Sequence, residues 1–314
     1  MKKLKKDAIY LGAPLFLSRS PSKDFKYLEE KLESKLTGWR SHCLSWVGRC
    51  TLINFVTQAI PNYTFLAFNV PAKNCIKLDA LSRRFWWKPK ERNNRFIAWT
   101  AWDKLCQPKK QGGLGFKKAK EMNSALLAKL AWMVASSKQS ICMEVLRTKY
   151  KVGNGWMTVE PLKAGSPSWR AIVEARRLIV KGACFLLGDG RSIDVWTDPW
   201  VPGIGNFRPQ PRVEEYKQIA LKAADLIDSS TRSWRREWIN VLFTSVDAKA
   251  ILSIPIPFNP KQDRLIWIPD SKGRFSIKSV HKVTFTSLER DSQPQAFWLK
   301  LWKAKLLKRL KMLI

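Results

Sequence analysis

Apolar positions along this chain recur mainly with the period of amphipathic helices. After Pro21, large apolar side chains lie three and four residues apart, which places them on one helix face. These side chains are Phe25, Leu28, Leu32, Leu36 and Trp39. A second helix is predicted up to Pro61, which stops it, and a third from Pro71 to about Lys88. Further helices are predicted near 122–134, 142–150, 167–179 and 234–242.

Short strands are predicted between these helices. Residues 8–17 indicate one strand with a turn at Gly12-Ala13-Pro14. Alternating apolar residues around glycine-containing turns are typical of hairpins. Two such hairpins are predicted, 184–187 with 192–196 around Gly188-Asp189-Gly190, and 264–268 with 274–277 around residues 269–273. The expected fold class is therefore mainly α with small β-hairpins (α+β).

Four segments are expected along the chain, with boundaries at 1–20, 21–150, 151–213 and 214–314. The second is a helical domain, and the fourth combines helices and a hairpin. The third holds a helix, a hairpin and a linker. The linker is predicted at residues 199–213 because this stretch contains four prolines. A length of 314 residues suggests about two domains, each with its own core.

The net charge of the chain points to the kind of partner it binds. The chain has 57 Lys and Arg against 25 Asp and Glu, a formal net charge of +32, together with 45% hydrophobic residues and 16 Trp. Such a chain can bury a core, yet it repels itself unless a polyanion screens it. The expected partner is nucleic acid: RNA, DNA or their hybrid, bound without sequence preference. The oligomeric state stays open.

The chain is expected to be intracellular, in the nucleus or cytoplasm, and not secreted. Its six cysteines form no Cys-x-x-Cys pair and only two histidines are present, so neither disulfides nor a metal site is predicted. The basic start resembles a signal peptide, but Asp7, Gly12 and Pro14 interrupt its apolar part. No run approaches the ~18 apolar residues of a membrane span.

The third predicted helix carries a basic stripe beside its apolar face. At about 100° per residue, Lys73, Lys77, Arg84 and Lys88 share one side. Residues 73–120 hold fourteen Lys and Arg against three acids, a net charge of +11. The predicted nucleic-acid-binding residues are Lys73, Lys77, Arg84, Lys88, Arg92, Lys109, Lys110, Lys117 and Lys118. Base-stacking candidates are Trp86, Trp87, Trp99 and Trp102, for which core packing is the alternative interpretation. For the basic stripe, the alternative is an ordinary solvated helix face.

Other motifs point to no chemistry. Gly112-Gly113-Leu114-Gly115 lacks the Gly-Lys-Ser/Thr ending of a phosphate loop and is interpreted as a turn, with backbone contact to phosphate as the alternative. Asp189, Asp194 and Asp198 do not have the regular spacing that would bring them together on a strand. No catalytic residue, metal or cofactor is therefore predicted.

The order of several motifs resembles plant non-LTR retrotransposon reverse transcriptases, in the region after the polymerase core. The resemblance covers nearly the whole chain, and its order and spacing are more specific than any single motif. The matching motifs include Tyr10-Leu11-Gly12, Leu36-Thr37-Gly38-Trp39, Ile60-Pro61-Asn62-Tyr63, Phe85-Trp86-Trp87, residues 109–116, Met122-Asn123, Ser166-Pro167-Ser168-Trp169, Gly188-Asp189-Gly190, residues 195–200 and residues 274–279.

This resemblance implies roles for the segments. Residues 1–20 would be a remnant of the palm-closing strand near the primer grip, and 21–150 a thumb-like basic domain that holds a duplex. Residues 214–314 would end in a truncated zinc-binding-like segment, since its Cys and His ligands do not follow before Ile314. The family's polymerase carboxylates, in a Tyr/Phe-Ala-Asp-Asp hairpin, have no counterpart here, nor does a ribonuclease H acidic cluster.

The resulting hypothesis is a catalytically inactive reverse-transcriptase fragment that binds nucleic acid, and not an enzyme. One alternative is an RNA-directed DNA polymerase or ribonuclease H-like protein, as the parent family implies. A second is the non-functional product of a pseudogene.

Overall fold

The structure is a computed structural model that describes most of the chain. The described residues are 9–10, 13–14, 17–40, 44–87, 97–136, 139–153, 156–157, 165–259, 261–285, 295–307 and 311. The chain forms two compact units. Unit 1 comprises Met1–Leu127 with Thr284–Ile314, and unit 2 comprises Ala128–Val283.

The predicted fold class is confirmed, because the described residues are mainly helical with small antiparallel strand pairs. The α-helices are α1 (Pro21–Asp24), α2 (Lys26–Arg40), α3 (Trp46–Leu52), α4 (Asn62–Ala67), α5 (Ala72–Trp87), α6 (Trp102–Cys106), α7 (Ala119–Ala135), α8 (Ile141–Lys149), α9 (Pro167–Ile179), α10 (Arg236–Leu242), α11 (Ser245–Leu252), α12 (Ile277–Phe285) and α13 (Gln295–Lys303). A π-helical turn, Ile53–Thr57, continues α3.

The strands are short and pair two by two. They are β1 (Ile9–Tyr10) with β2 (Ala13–Pro14), β3 (Ala183–Leu186) with β6 (Arg264–Trp267), and β4 (Ile227–Asp228) with β5 (Ser233–Trp234), all antiparallel. Strands of two to four residues bury little surface alone, so the helices carry most of each core.

The core of unit 1 forms where α2 packs against α5. On α2, the apolar side chains at the predicted helical spacing face inward, and Leu28, Leu32 and Leu36 are buried. On α5, the predicted apolar face is likewise confirmed at Leu78 and Phe85, both buried. Burial of a Leu or Phe side chain contributes about 1.5–3 kcal/mol, so this face holds the two helices together.

A polar contact fixes the entry to α7 in the same unit. Asn123 on α7 is fully buried, and its Oδ1 accepts a hydrogen bond from the Val70 N–H at 3.0 Å. Its Nδ2 donates to the carbonyl oxygens of Phe65, at 2.9 Å, and Phe68, at 2.8 Å. One side chain therefore satisfies three main-chain groups of the segment that joins α4 to α5.

The core of unit 2 surrounds several aromatic side chains. Trp200 and Phe243 are almost fully buried in it. Residues 199–213, interpreted from their prolines as a linker, contribute Trp200 and Val201 to this core. Their irregular backbone is held because the N–H groups of both residues donate to the Phe207 carbonyl, at 2.7 and 3.0 Å. Buried main-chain groups need such partners when no regular element supplies them.

The predicted hairpin of 184–187 with 192–196 is wrong. Instead, β3 pairs with β6, in a register that opposes Ala183 to Trp267 and Leu186 to Arg264. The loop after β3 turns away because its N–H groups bind the Asp263 carboxylate, which immediately precedes β6. These bonds fold the loop against β6 and leave it unable to pair with β3.

The second predicted hairpin is correct at its turn only. The Trp267 N–H donates to the Gly273 carbonyl at 3.0 Å, and Gly273 has the left-handed φ of +66° that a glycine adopts easily. The following residues do not continue as a strand, because α12 begins at Ile277. Ser276 caps this helix start through its hydroxyl, which accepts a hydrogen bond from the Ser279 N–H at 3.1 Å.

Candidate nucleic-acid interface

The basic stripe predicted on α5 lies on the side of the helix away from its buried face. Lys73 and Lys77 are exposed and Arg84 is half-buried. Lys77 is held by the Glu29 carboxylate of α2, with Nζ 3.0 Å from Oε2. No described carboxylate pairs with Lys73 or Arg84. Lys88 and Arg92 lie outside the described residues.

The second group of predicted cations lies on the loop between α6 and α7. Lys118 Nζ is 2.8 Å from Asp103 Oδ1 and 3.8 Å from Glu121 Oε1, and the hydrogen bond with Asp103 raises the pKa of Lys118. Lys109 is exposed, while Lys110 and Lys117 are half-buried. Lys118 is thus largely neutralised within the unit, since two carboxylates face it.

The glycine motif of this loop does not offer free amides to a phosphate. All four N–H groups of Gly112-Gly113-Leu114-Gly115 donate to carbonyl oxygens of residues 105–109, at 2.9 to 3.3 Å. A Cβ at Gly113 would approach the Gln107 carbonyl oxygen to 2.0 Å, so the motif permits a tight turn. The interpretation as a turn is confirmed. The alternative, a phosphate cradle, would require these internal bonds to break.

The four candidate stacking residues differ in accessibility. Trp86 is 3% and Trp102 9% exposed, whereas Trp99 is 75% exposed and Trp87 is half-buried. A ring that is packed on both faces cannot stack on a base, so Trp99 is the accessible candidate among them.

The packing of these rings involves Trp46, which no sequence pattern indicated. Trp46 lies between Trp86 and Trp99, at centroid distances of 4.9 and 6.4 Å. The buried Arg49 guanidinium covers the Trp46 ring at 3.9 Å and donates to the Trp86 carbonyl. Trp99 is therefore supported on one side by an ordered aromatic cluster.

A half-buried carboxylate lies next to the loop cations. Asp79 on α5 accepts a hydrogen bond from the Ala119 N–H, at 3.0 Å, and so caps the start of α7 from another helix. Burial raises the pKa of Asp79 to about 7, and the nearby Glu121 and Asp103 carboxylates add to the rise. The Ala119 hydrogen bond and Lys118 oppose it.

Replacement of Asp79 by Asn is expected to stabilise the protein at pH 8. Between about pH 4 and 7, the raised pKa keeps the Asp79 carboxyl protonated in the folded state, whereas in the unfolded state it has lost its proton. Stability therefore falls as the pH rises through this window, and above pH 7 the folded state bears the full cost of the desolvated charge. Asn removes the charge and keeps an oxygen for Ala119. The gain is on the order of a few kcal/mol, at about 1.4 kcal/mol per pKa unit.

Urea unfolding at pH 5 and pH 8 measures this difference. The advantage of D79N over the parent protein should be largest at pH 8 and shrink towards acid pH. Glu33→Gln, which neutralises an exposed carboxylate on α2, is the matched control. An Asn variant whose advantage does not depend on pH would show that Asp79 is not the titrating group.

The aspartates after β3 have local structural roles. Asp194 Oδ1 accepts hydrogen bonds from the Trp196 and Thr197 N–H groups and the Thr197 hydroxyl, at 2.9 to 3.2 Å. Asp198 accepts the Asp194 N–H at 2.8 Å, and burial raises the pKa of Asp198. In the described part of the chain, no three His, Cys, Asp or Glu side chains are grouped as a metal site. Among the same residues, no helix has the length and apolar character needed to span a membrane.

Comparison with known proteins gives two relatives. "Putative ribonuclease H protein At1g65750" of Arabidopsis thaliana is 30% identical over 305 residues, which cover 95% of this chain and 48% of that protein. The chain thus spans about half the length of this relative. "Uncharacterized mitochondrial protein AtMg00310" of the same plant is 35% identical over 145 residues, 46% of this chain. No family model matches the chain. Because the aligned region takes in 94% of the mitochondrial protein, the chain belongs to the same family as that protein.

Proposed function

We propose that this chain binds the sugar-phosphate backbone of RNA, DNA or their hybrid without sequence preference, through a basic surface of unit 1. The basic surface is defined as the α5 stripe and the loop between α6 and α7. Its described members are Lys73, Lys77, Arg84, Lys109, Lys110, Lys117 and Lys118, and Lys88 and Arg92 extend it in sequence. The observation that carries the proposal is the net charge of +11 within residues 73–120.

The arrangement of charges supports backbone contact and not base recognition. Lys73 and Arg84 face away from the core and have no described carboxylate as partner. A phosphate that approaches them releases condensed counterions, which gives affinity that depends steeply on salt and little on sequence. Lys77 already has Glu29 as a partner, so its contribution is expected to be smaller than that of Lys73.

A second support comes from the resemblance of residues 21–150 to a reverse-transcriptase thumb, which grips a template–primer duplex by its backbone. One relative carries ribonuclease H in its name, and enzymes of that name act on RNA–DNA hybrids. A hybrid is therefore included among the substrates to be tested.

Replacement of Lys73, Lys77, Arg84 and Lys88 by Ala is expected to weaken binding equally for all sequences. The slope of log affinity against log salt should fall by about three, since each phosphate contact contributes about 0.7–0.9. Titration of fluorescent RNA, DNA and hybrid duplexes at several salt concentrations measures both quantities.

The matched control removes the same charge from unit 2, with Lys181, Lys249, Lys261 and Lys272, all exposed, changed to Ala. An unchanged affinity and slope for the α5 variant would contradict the proposal. Equal losses for both variants would mean that only the total charge matters.

We also propose that this stretch of chain holds nucleic acid without copying or cutting it. The support is the sequence, in which no Tyr/Phe-Ala-Asp-Asp motif occurs. A polymerase of this class needs paired carboxylates that bind two metal ions. Extension of a primed template, or cleavage of a hybrid, by the purified chain with Mg²⁺ or Mn²⁺ would contradict this proposal. Cooperative unfolding of the same sample would argue against a non-functional product.

A further inference from the structure

The C-terminal helix α13 lies against the basic loop of unit 1, although about 180 residues separate them in sequence. Two tryptophans on one side of α13, four residues apart, make the contact. The Trp298 ring lies at Gly112, so closely that a Cβ there would be 2.8 Å from two ring carbons. The Trp302 ring lies under Lys109, with Nζ 4.9 Å from the ring centroid.

Gly112 fits this contact in two independent ways. Its φ of +85° is left-handed, a conformation that glycine adopts without steric cost. In addition, any side chain at this position would collide with the indole of Trp298. The loop therefore has the shape that α13 needs, and the first glycine of the Gly-Gly-Leu-Gly motif serves to seat the helix.

The outer side of α13 is basic. At about 100° per residue, Lys300 points roughly 160° and Lys303 roughly 140° away from Trp298, and both are exposed. Lys305, just after the helix, is exposed as well. None of the three forms an ion pair with a described carboxylate, and the sequence from 295 to 314 contains no acidic residue. These ammonium groups thus have no acid close in sequence to neutralise them.

We propose that α13 is part of the nucleic-acid-binding surface and contributes Lys300, Lys303 and Lys305 as backbone contacts. Its tryptophan face docks on the loop at Lys109 and Gly112. Its lysine face, on the outer side of the helix, adds to the basic surface that the loop begins. This inference rests on the proposed function and extends it, because the binding surface then combines two distant parts of the sequence.

The contact between Lys109 and Trp302 is compatible with a binding surface that includes both the loop and α13. A cation over an indole face keeps its charge and remains able to meet a phosphate on its open side. It also ties the position of α13 to the loop, so the two groups of lysines are presented together. A helix that merely covered the loop would instead compete with nucleic acid for Lys109.

The triple variant K300A/K303A/K305A tests the proposal. Its affinity for a hybrid duplex at about 0.1 M salt is expected to fall by at least about tenfold, and its salt slope by about two to three. The matched control is K181A/K249A/K272A, which removes the same charge from exposed positions of unit 2. The urea midpoint of every variant establishes that it is folded.

A second variant, W298A/W302A, keeps the lysines but removes the docking contacts. It should also bind more weakly, because the lysines are no longer held beside the loop, and the loss should be smaller than in the triple variant.

The outcomes separate this inference from the proposed function. Loss of binding in the α5 variant but not in K300A/K303A/K305A would overturn the inference and leave the function standing. If neither variant changes binding, the proposed function fails as well. Tighter binding by either α13 variant would also overturn the inference, since it would mean that the helix covers the loop. If K300A/K303A/K305A loses no more affinity than the unit 2 control, the effect comes from net charge alone and the inference is overturned.

Discussion

Replacement of Asn123 by Leu is expected to lower the free energy of unfolding by roughly 3–5 kcal/mol, a loss at the top of the range for single substitutions. Asn123 is fully buried and bonds the Val70 N–H and the Phe65 and Phe68 carbonyls at 2.8 to 3.0 Å. Leu fills a similar volume but bonds none of them. Each buried main-chain group left without a partner costs about 1–3 kcal/mol.

Urea denaturation, followed by circular dichroism and tryptophan fluorescence, measures the Asn123 effect. Ser124→Ala, a half-buried position next to it on α7, is the control and should change stability by less than about 1 kcal/mol. A loss below about 1 kcal/mol for N123L would mean that water or a rearranged segment satisfies the three main-chain groups.

Replacement of Asp263 by Ala in unit 2 is expected to cause the second large loss in the free energy of unfolding. One carboxylate accepts four hydrogen bonds there: from the N–H groups of Gly188 and Gly190, at 2.7 and 2.9 Å, and from the N–H and hydroxyl of Ser192, at 3.0 and 2.8 Å. Hydrogen bonds to a charged acceptor are stronger than neutral ones. The expected loss is about 2–4 kcal/mol, concentrated in the loop after β3.

Amide hydrogen exchange identifies where the Asp263 effect acts. The amides of Gly188, Gly190 and Ser192 should lose protection in D263A before the rest of unit 2. Asp189→Ala is the control, because among the described residues the Asp189 carboxylate accepts one hydrogen bond, from the Arg191 N–H at 3.2 Å. Persistent protection of the three amides in D263A would show that the loop is held by its packing and not by the carboxylate.

The acceptors Asn123, which is buried, and Asp263, which is half-buried, illustrate why part of the fold was not predictable. Asn123 lies in a helical pattern that the sequence identified, yet nothing in that pattern indicates that its amide reaches a segment more than 50 residues away. Asp263 stands before a predicted strand, and its partners lie more than 70 residues earlier. Side chains of either type are found mostly at protein surfaces, so their burial depends on the assembled chain.

The sequence did not predict the pairing of β3 with β6, for a related reason. A local hairpin is the simplest partner for a short strand that a glycine-rich turn follows. Four residues carry too little alternation to specify a different, distant strand. The partner was decided by packing in unit 2, where Asp263 draws the loop after β3 to the start of β6.

The candidate interface was also predicted only in part. The sequence located the excess charge in residues 73–120 and placed Lys73, Lys77 and Arg84 on one side of α5. It could not assign Glu29 to Lys77, since that carboxylate belongs to another helix. Nor could it separate the buried Trp86 from the exposed Trp99, because both lie in the same basic stretch.

By itself, the sequence determined the helices with a clear apolar period, among them α2, α5, α7 and α9, but not α11, α12 or α13. It also determined the inward face of α2 and α5, the net charge of +32 and the region that carries its highest local excess. These properties depend on residues within a few turns of one another, so a periodic pattern records them. The tertiary structure alone decided which cations are paired, which tryptophans are accessible and that Trp298 and Trp302 seat α13 on the glycine loop. Such contacts join residues far apart in sequence, and only the folded backbone brings them within bonding distance.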